Sequence, residues 1–238
     1  MRTLHLLVDE GITSELFVAA LIDAGASVAP MQKAVDGAGL DVVLAAAKVP
    51  VRMVRGTRLT ASPGPQAART GTAAELHARI AAATLPERAD ARARLVADAL
   101  IGAEAKVHGV PPDRVHFHEV GRAAAVALLL AAAVALEELG IDRVTTTSVA
   151  LGRGTIDIAH GRFPVPPPAV LHLMAGLDVH AGYREGELTT PSGAAIVAAL
   201  AEPVPALPRL RLDGHGRGVT ADERILTVMH GTSTTSSR

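Results

Sequence analysis

The chain contains no cysteine in its 238 residues. Disulfides, thiolate metal sites and thiol nucleophiles are therefore excluded, and any transition metal must be held by His, Asp, Glu, main-chain or ligand atoms. Tryptophan is also missing, and aromatics make up 2% of the sequence: Phe17, Phe117, Phe163 and Tyr183. So few flat faces weigh against single-stranded nucleic acid as a partner. The formal net charge is −1, which leaves no basic field to draw in nucleic acid or an anionic membrane. No apolar run is long enough to span a bilayer. The Ala-rich stretch 123–136 is short, is closed by Glu137 and Glu138, and reads as a buried helix. The start, Met1-Arg2-Thr3-Leu4-His5, leads into a short apolar strand rather than a signal peptide, so the expected location is cytoplasmic. Neither Gly-x-Ser-x-Gly nor His-Glu-x-x-His occurs, which argues against a serine hydrolase and a zincin.

Hydrophobic residues make up 49% of the chain, enough for a core built from Ala, Val and Leu. A strand is expected at 3–8. Thr13-Ser14-Glu15 opens a helix that Gly25 stops. A second helix follows at 30–36, then a β-rich piece at 41–55. Residues 56–72, rich in Gly, Pro, Thr, Ser and Arg, read as a mobile loop. Helices are expected at 73–84 and 87–108, and a long one at 121–139 ends at Gly140. Beyond it strands dominate, near 143–151, 155–159, 178–182, 186–189, 207–213 and 224–229, with helices leading to Ala175 and from Pro191 to Ala201. The fold class is α/β, with α+β as the alternative: mixed sheet segments and Ala-rich helices in one compact chain. Composition changes near residue 140. This suggests a helix-rich lobe at 1–140, a strand-rich lobe at 141–230 and a disordered tail at 231–238.

Two segments stand out chemically. In Val115-His116-Phe117-His118-Glu119-Val120-Gly121, an extended backbone sets His116 and His118 on one side. Imidazole with carboxylate suits nickel, zinc, copper and iron(II). Two histidines and Glu119 need a further ligand, and His160 is a candidate, although solvated or helix-capping histidines fit the spacing too. His108, at a helix end, reads most simply as a cap on the negative end of the helix dipole. The second segment is Leu188-Thr189-Thr190-Pro191-Ser192-Gly193. Thr190 suits an N-cap and Pro191 the first helical position. Thr189, Thr190, Ser192 and Gly193 would then surround a helix N-terminus able to take a phosphate or carboxylate, with ordinary capping as the plainer reading. Arg153, in Gly152-Arg153-Gly154, and Arg217, in Gly214-His215-Gly216-Arg217-Gly218, each pair glycine with a guanidinium that can fork onto phosphate.

In order along the chain, His116-Phe117-His118-Glu119-Val120-Gly121, Leu151-Gly152-Arg153-Gly154, His160-Gly161 with Pro164-Val165-Pro166-Pro167-Pro168, and Glu185 to Ala194 resemble the LarC-type nickel insertion proteins. Ala103 to Pro111 and Gly11 to Phe17 fit as well. The resemblance implies a nickel chelatase, or cyclometallase, of the lyase class. Such a protein places Ni(II) into a pyridinium mononucleotide bearing two sulfur arms, making nickel–sulfur bonds and a nickel–carbon bond. It implies His116, His118 and His160 as metal ligands, and Glu119 or His118 as the base that takes the ring proton. CTP is implied only through a separate C-terminal region or chain, and the expected association is a homo-oligomer. The family pattern carries aspartates where this chain has Ala124, Leu128 and Leu7, and Glu15 replaces an Asp. Two rival readings remain: a metal-dependent hydrolase using His116, His118 and His160, and a non-catalytic scaffold that binds a nucleotide-like ligand.

Overall fold

The computed structural model describes residues 1–67, 69–117, 121–158 and 161–233. His118, Glu119 and His160 lie outside the described residues. Along the chain run β1 (Arg2–Leu7), α1 (Ser14–Asp23), α2 (Val28–Gly37), β2 (Val42–Val51), β3 (Val54–Pro63), α3 (Ala73–Ala82) and α4 (Glu87–His108). After a 3-10 turn at Pro112–Arg114 come α5 (Ala123–Glu138), β4 (Arg143–Thr146), β5 (Val149–Ala150), β6 (Gly152–Arg153), β7 (Thr155–Ile158) and β8 (Gly161–Pro164). The chain continues with α6 (Pro168–Leu173), β9 (Val179–His180), β10 (Gly186–Glu187), α7 (Pro191–Leu200), β11 (Ala201–Pro203), β12 (Leu210–Val219) and β13 (Ile225–Ser233).

The α/β expectation holds. A mixed sheet of 7 strands runs in the order β11-β4-β1-β13-β12-β3-β2, and three two-stranded ribbons, β6–β10, β5–β9 and β7–β8, lie outside it. In the main sheet β1, β4 and β11 are parallel, while β13 is antiparallel to both its neighbours, β1 and β12. The sheet crosses the compositional boundary at 140, because β1 pairs with β4 and with β13. The segments on either side of that boundary therefore share one sheet and one core. β13 runs through Ser233, three residues into the segment expected as a tail.

Register places Leu6 beside Val228, and Val228 beside Gly216. That face packs on α1. A Cβ on Gly216 would overlap the carbonyl oxygen of Ala20, and one on Gly218 that of Leu16. The run 214–218, where glycines flank an arginine able to fork onto phosphate, lies within strand β12. Gly216 and Gly218 are explained by the closeness of a helix rather than of a ligand, and Gly214 by the ring of His230 on the neighbouring strand. Within the loop expected at 56–72, residues 56–63 are instead part of strand β3. Thr57 and Leu59 are buried there, and Thr57 Oγ1 donates to Asp23 Oδ1 at 2.7 Å. Helix α5 is buried at every position from Val126 to Leu136 because it packs on α1, α2 and α4 together. Among the described residues no helix is long and apolar enough to cross a membrane.

Candidate functional site

Two helices begin side by side at the end of strand β1. The turn after β1 is fixed by Gly11, whose φ of +79 suits glycine and whose missing side chain admits Leu188. Ile12 N–H donates to Thr189 Oγ1 at 3.2 Å, and Thr189 Oγ1 donates to Ala150 O at 2.6 Å. Thr190 N–H donates to Ile12 O at 3.2 Å, and Gly193 lacks the Cβ that would overlap the same carbonyl. Thr189 is fully buried and holds these loops together.

The result is a pair of adjacent N-termini. Thr13 caps α1 by accepting from Leu16 N–H at 3.1 Å, and Thr190 caps α7 by accepting from Gly193 N–H at 3.3 Å. Ser14 Oγ and Thr190 Oγ1 each lie 3.2 Å from Ser192 Oγ. The first-turn N–H groups of both helices have no intrahelical acceptor, and the positive ends of two dipoles meet beside three hydroxyls. Helix N-termini with free N–H groups are able to hold an anion.

These residues line a cleft of ≈ 690 Å³, within the usual range for small-molecule sites. Its lining continues through Glu104, Val107 and His108 at the end of α4, and through Arg122, Ala124, Ala125 and Leu128 at the start of α5. Ile156 and Phe163 of the β7–β8 ribbon, with Pro167 and Pro168, add an apolar portion, and Glu187 and Arg224 complete it. Behind Ser14 and Ser192 a ≈ 10 Å³ void is walled by Leu76, Val96, Leu100, Leu129 and Ile196, so the hydroxyls have apolar backing on that side.

Arg224 is anchored by donating to Leu188 O at 3.1 Å and by its ion pair with Asp222 at 3.2 Å. Glu15 reaches solvent at the cleft mouth, yet the surrounding walls desolvate its carboxyl and push its pKa above the usual value. The positive charge of Arg224 opposes that rise.

The structure thus brings Thr190, Ser192 and Gly193 together with Thr13 and Ser14, and uses Thr189 as a buried strut. The two proposed phosphate arginines lie elsewhere. Arg153 pairs with Glu185 at 2.9 Å, and Arg217 sits in β12 with its N–H on Asp23 Oδ2 at 2.9 Å. The arginines lining the cleft are Arg122 and Arg224, which the sequence reading did not select because neither stands beside a glycine pair. His116 is exposed between buried Val115 and Phe117, and bridges to Thr72. Among the described residues no group of three His, Asp or Glu is placed to hold a metal. Ala124 and Leu128, where the resemblance implies aspartates, do face this cleft.

The family model for nickel insertion proteins matches residues 4–234. The chain is 33% identical over 222 residues to the pyridinium-3,5-bisthiocarboxylic acid mononucleotide nickel insertion protein of Desulfitobacterium hafniense, covering 92% of this chain and 55% of that protein. It is 36% identical over 222 residues to the protein of the same name from a Nocardioides species, covering 92% and 56% respectively. The chain therefore spans about half the length of the curated relatives it matches. No solved structure matches it.

Proposed function

We propose, since this chain belongs to the nickel insertion protein family, that it is the part that holds a pyridinium mononucleotide and brings Ni(II) to it. The observation that carries the reading is the cleft itself. Two helix N-termini with Ser14, Thr190 and Ser192 supply an anion seat inside a space of ≈ 690 Å³, and an apolar portion of the lining suits a ring. Seated by its phosphate, the ligand would present its ring and sulfur arms to the rest of the cleft. Nickel then exchanges nitrogen and oxygen donors for the softer sulfur arms. The ring carbon loses its proton to a base and bonds to nickel. His118 or Glu119 is our candidate base, and His118, His160 and His116 are candidate ligands, chosen on the sequence pattern. The reading also includes a cytoplasmic, homo-oligomeric protein and a CTP-using region supplied by the additional length of the relatives or by a separate chain.

A second reading draws on Ala124 and Leu128. Apolar side chains there favour a relative that binds the mononucleotide without inserting metal. One experiment separates the two. Ni(II) is added to the chain mixed with a pyridinium mononucleotide carrying two thiocarboxylates, and the absorption spectrum is followed. A protein-dependent nickel–sulfur charge-transfer band is expected for insertion. Mononucleotide binding without that band would leave only the binding role.

A further inference from the structure

The last turn of α4 delivers two metal-ligating side chains to the cleft. Glu104 and His108 stand one helical turn apart, both line the cleft, and Glu104 Oε2 lies 3.4 Å from His108 Nε2. Their side chains keep only 16% and 26% exposure, so they are largely shielded from bulk water. A helical ion pair accounts for the distance alone. Three further features point beyond it.

The first is the bite. Two donor atoms bound to one divalent ion through bonds of about 2.0–2.2 Å stand roughly 3–3.5 Å apart, which matches the 3.4 Å between these two atoms. The second is the field. Gly109, at φ 64, ends α4 immediately after His108, which places the imidazole at the negative tip of a 22-residue helix. The starts of α1 and α7 line the same cleft with the opposite sign. The cleft therefore has a seat for an anion and a separate seat for a cation. The third is donor type: an imidazole nitrogen with a carboxylate oxygen suits first-row transition metals better than magnesium or calcium.

We propose that Glu104 and His108 form a two-point clip that receives the divalent transition metal before it passes to the ligand. Two protein donors leave the other coordination positions to water and to the incoming sulfur arms. An open shell of this kind allows transfer, whereas a closed four-ligand shell retains its metal. The clip rests on the nickel-handling reading only for the identity of the metal.

The test is calorimetric titration of nickel chloride into the whole chain, comparing wild type with His108→Gln and Glu104→Gln. Circular dichroism serves as a control for the fold. His108→Gln is expected to weaken binding about tenfold or more, by analogy with lost metal-site partners, and Glu104→Gln by a smaller factor. Cobalt(II) bound to the wild type is expected to show a visible absorption band that both variants alter. If His108→Gln does not fold, the Glu104→Gln comparison decides alone. The clip is overturned if the wild type takes up no nickel, or if folded variants match it in affinity and cobalt spectrum. Normal nickel uptake lost in the variants, with no spectral response to the sulfur-bearing mononucleotide, would keep the clip and remove the insertion reading.

Discussion

Ser14 Oγ and Ser192 Oγ lie 3.2 Å apart although 178 residues separate them in sequence. Each occupies the first turn of its own helix, so the pair joins two positive dipole ends, which is the basis of the proposed anion seat.

Removing both hydroxyls tests that seat. Ser14→Ala with Ser192→Ala is expected to weaken binding of nicotinic acid mononucleotide on the order of tenfold, the scale of a lost hydrogen bond to a charged group. Thr190→Val removes an N-cap as well and is expected to lower stability by about 1 kcal/mol. Calorimetry and urea denaturation read the two effects. Unchanged affinity in the double variant would move the anion elsewhere.

The contact between α1 and β12 depends on glycine. Gly216→Ala and Gly218→Ala each put a methyl group into the backbone of α1. Each is expected to destabilise the chain by about 1–3 kcal/mol through overpacking. A denaturation midpoint equal to wild type in either variant would contradict the described packing.

Two buried histidines make stability depend on pH. Burial lowers the pKa of His5 and His230 below 6.5, and the charge of Arg2 adds to the effect at His230. The unfolded chain therefore takes up protons first. Stability from these groups is fully present above pH 6.5 and falls as pH drops below it toward their folded values. Denaturation at a series of pH values should show this decline, and His5→Asn should flatten part of it whatever its cost in absolute stability. An identical slope in the variant would remove His5 as a source.

Arg224 restrains the carboxyl of Glu15. With Arg224→Leu, the pKa of Glu15 is expected to rise further above the usual glutamate range, since only desolvation then acts on it. Carbon-13 NMR titration of Glu15 reads the shift directly. A midpoint unmoved by the substitution would show that the two do not interact.

Much of the helical framework was legible because capping residues and glycines mark its ends: Thr13, Thr190 and Gly140 all sit at the expected boundaries. The start of α7 was legible for the same reason, as Thr-Thr-Pro-Ser carries a local signal. Its partner at Ser14 carried only a capping signal, since nothing local tells that Gly11 and Gly193 bring two distant turns together. Composition misled at 56–63 because Arg and Thr mark a strand as readily as a loop. Gly216 and Gly218 misled because close approach of a helix and close approach of a ligand require the same missing side chain. Arg224 and His108 became visible as cleft residues only once tertiary contacts placed them there.

The cleft takes part of its lining from Thr13 near one end of the chain and part from Arg224 near the other. Occupancy thus requires β1 and β13 to be in place together, and a ligand held in this cleft favours the assembled fold over any half-built form. Protection of amides in β1 and β13 against hydrogen exchange would then rise together with ligand concentration, as for a clasp closed at the point where the two ends of a band meet.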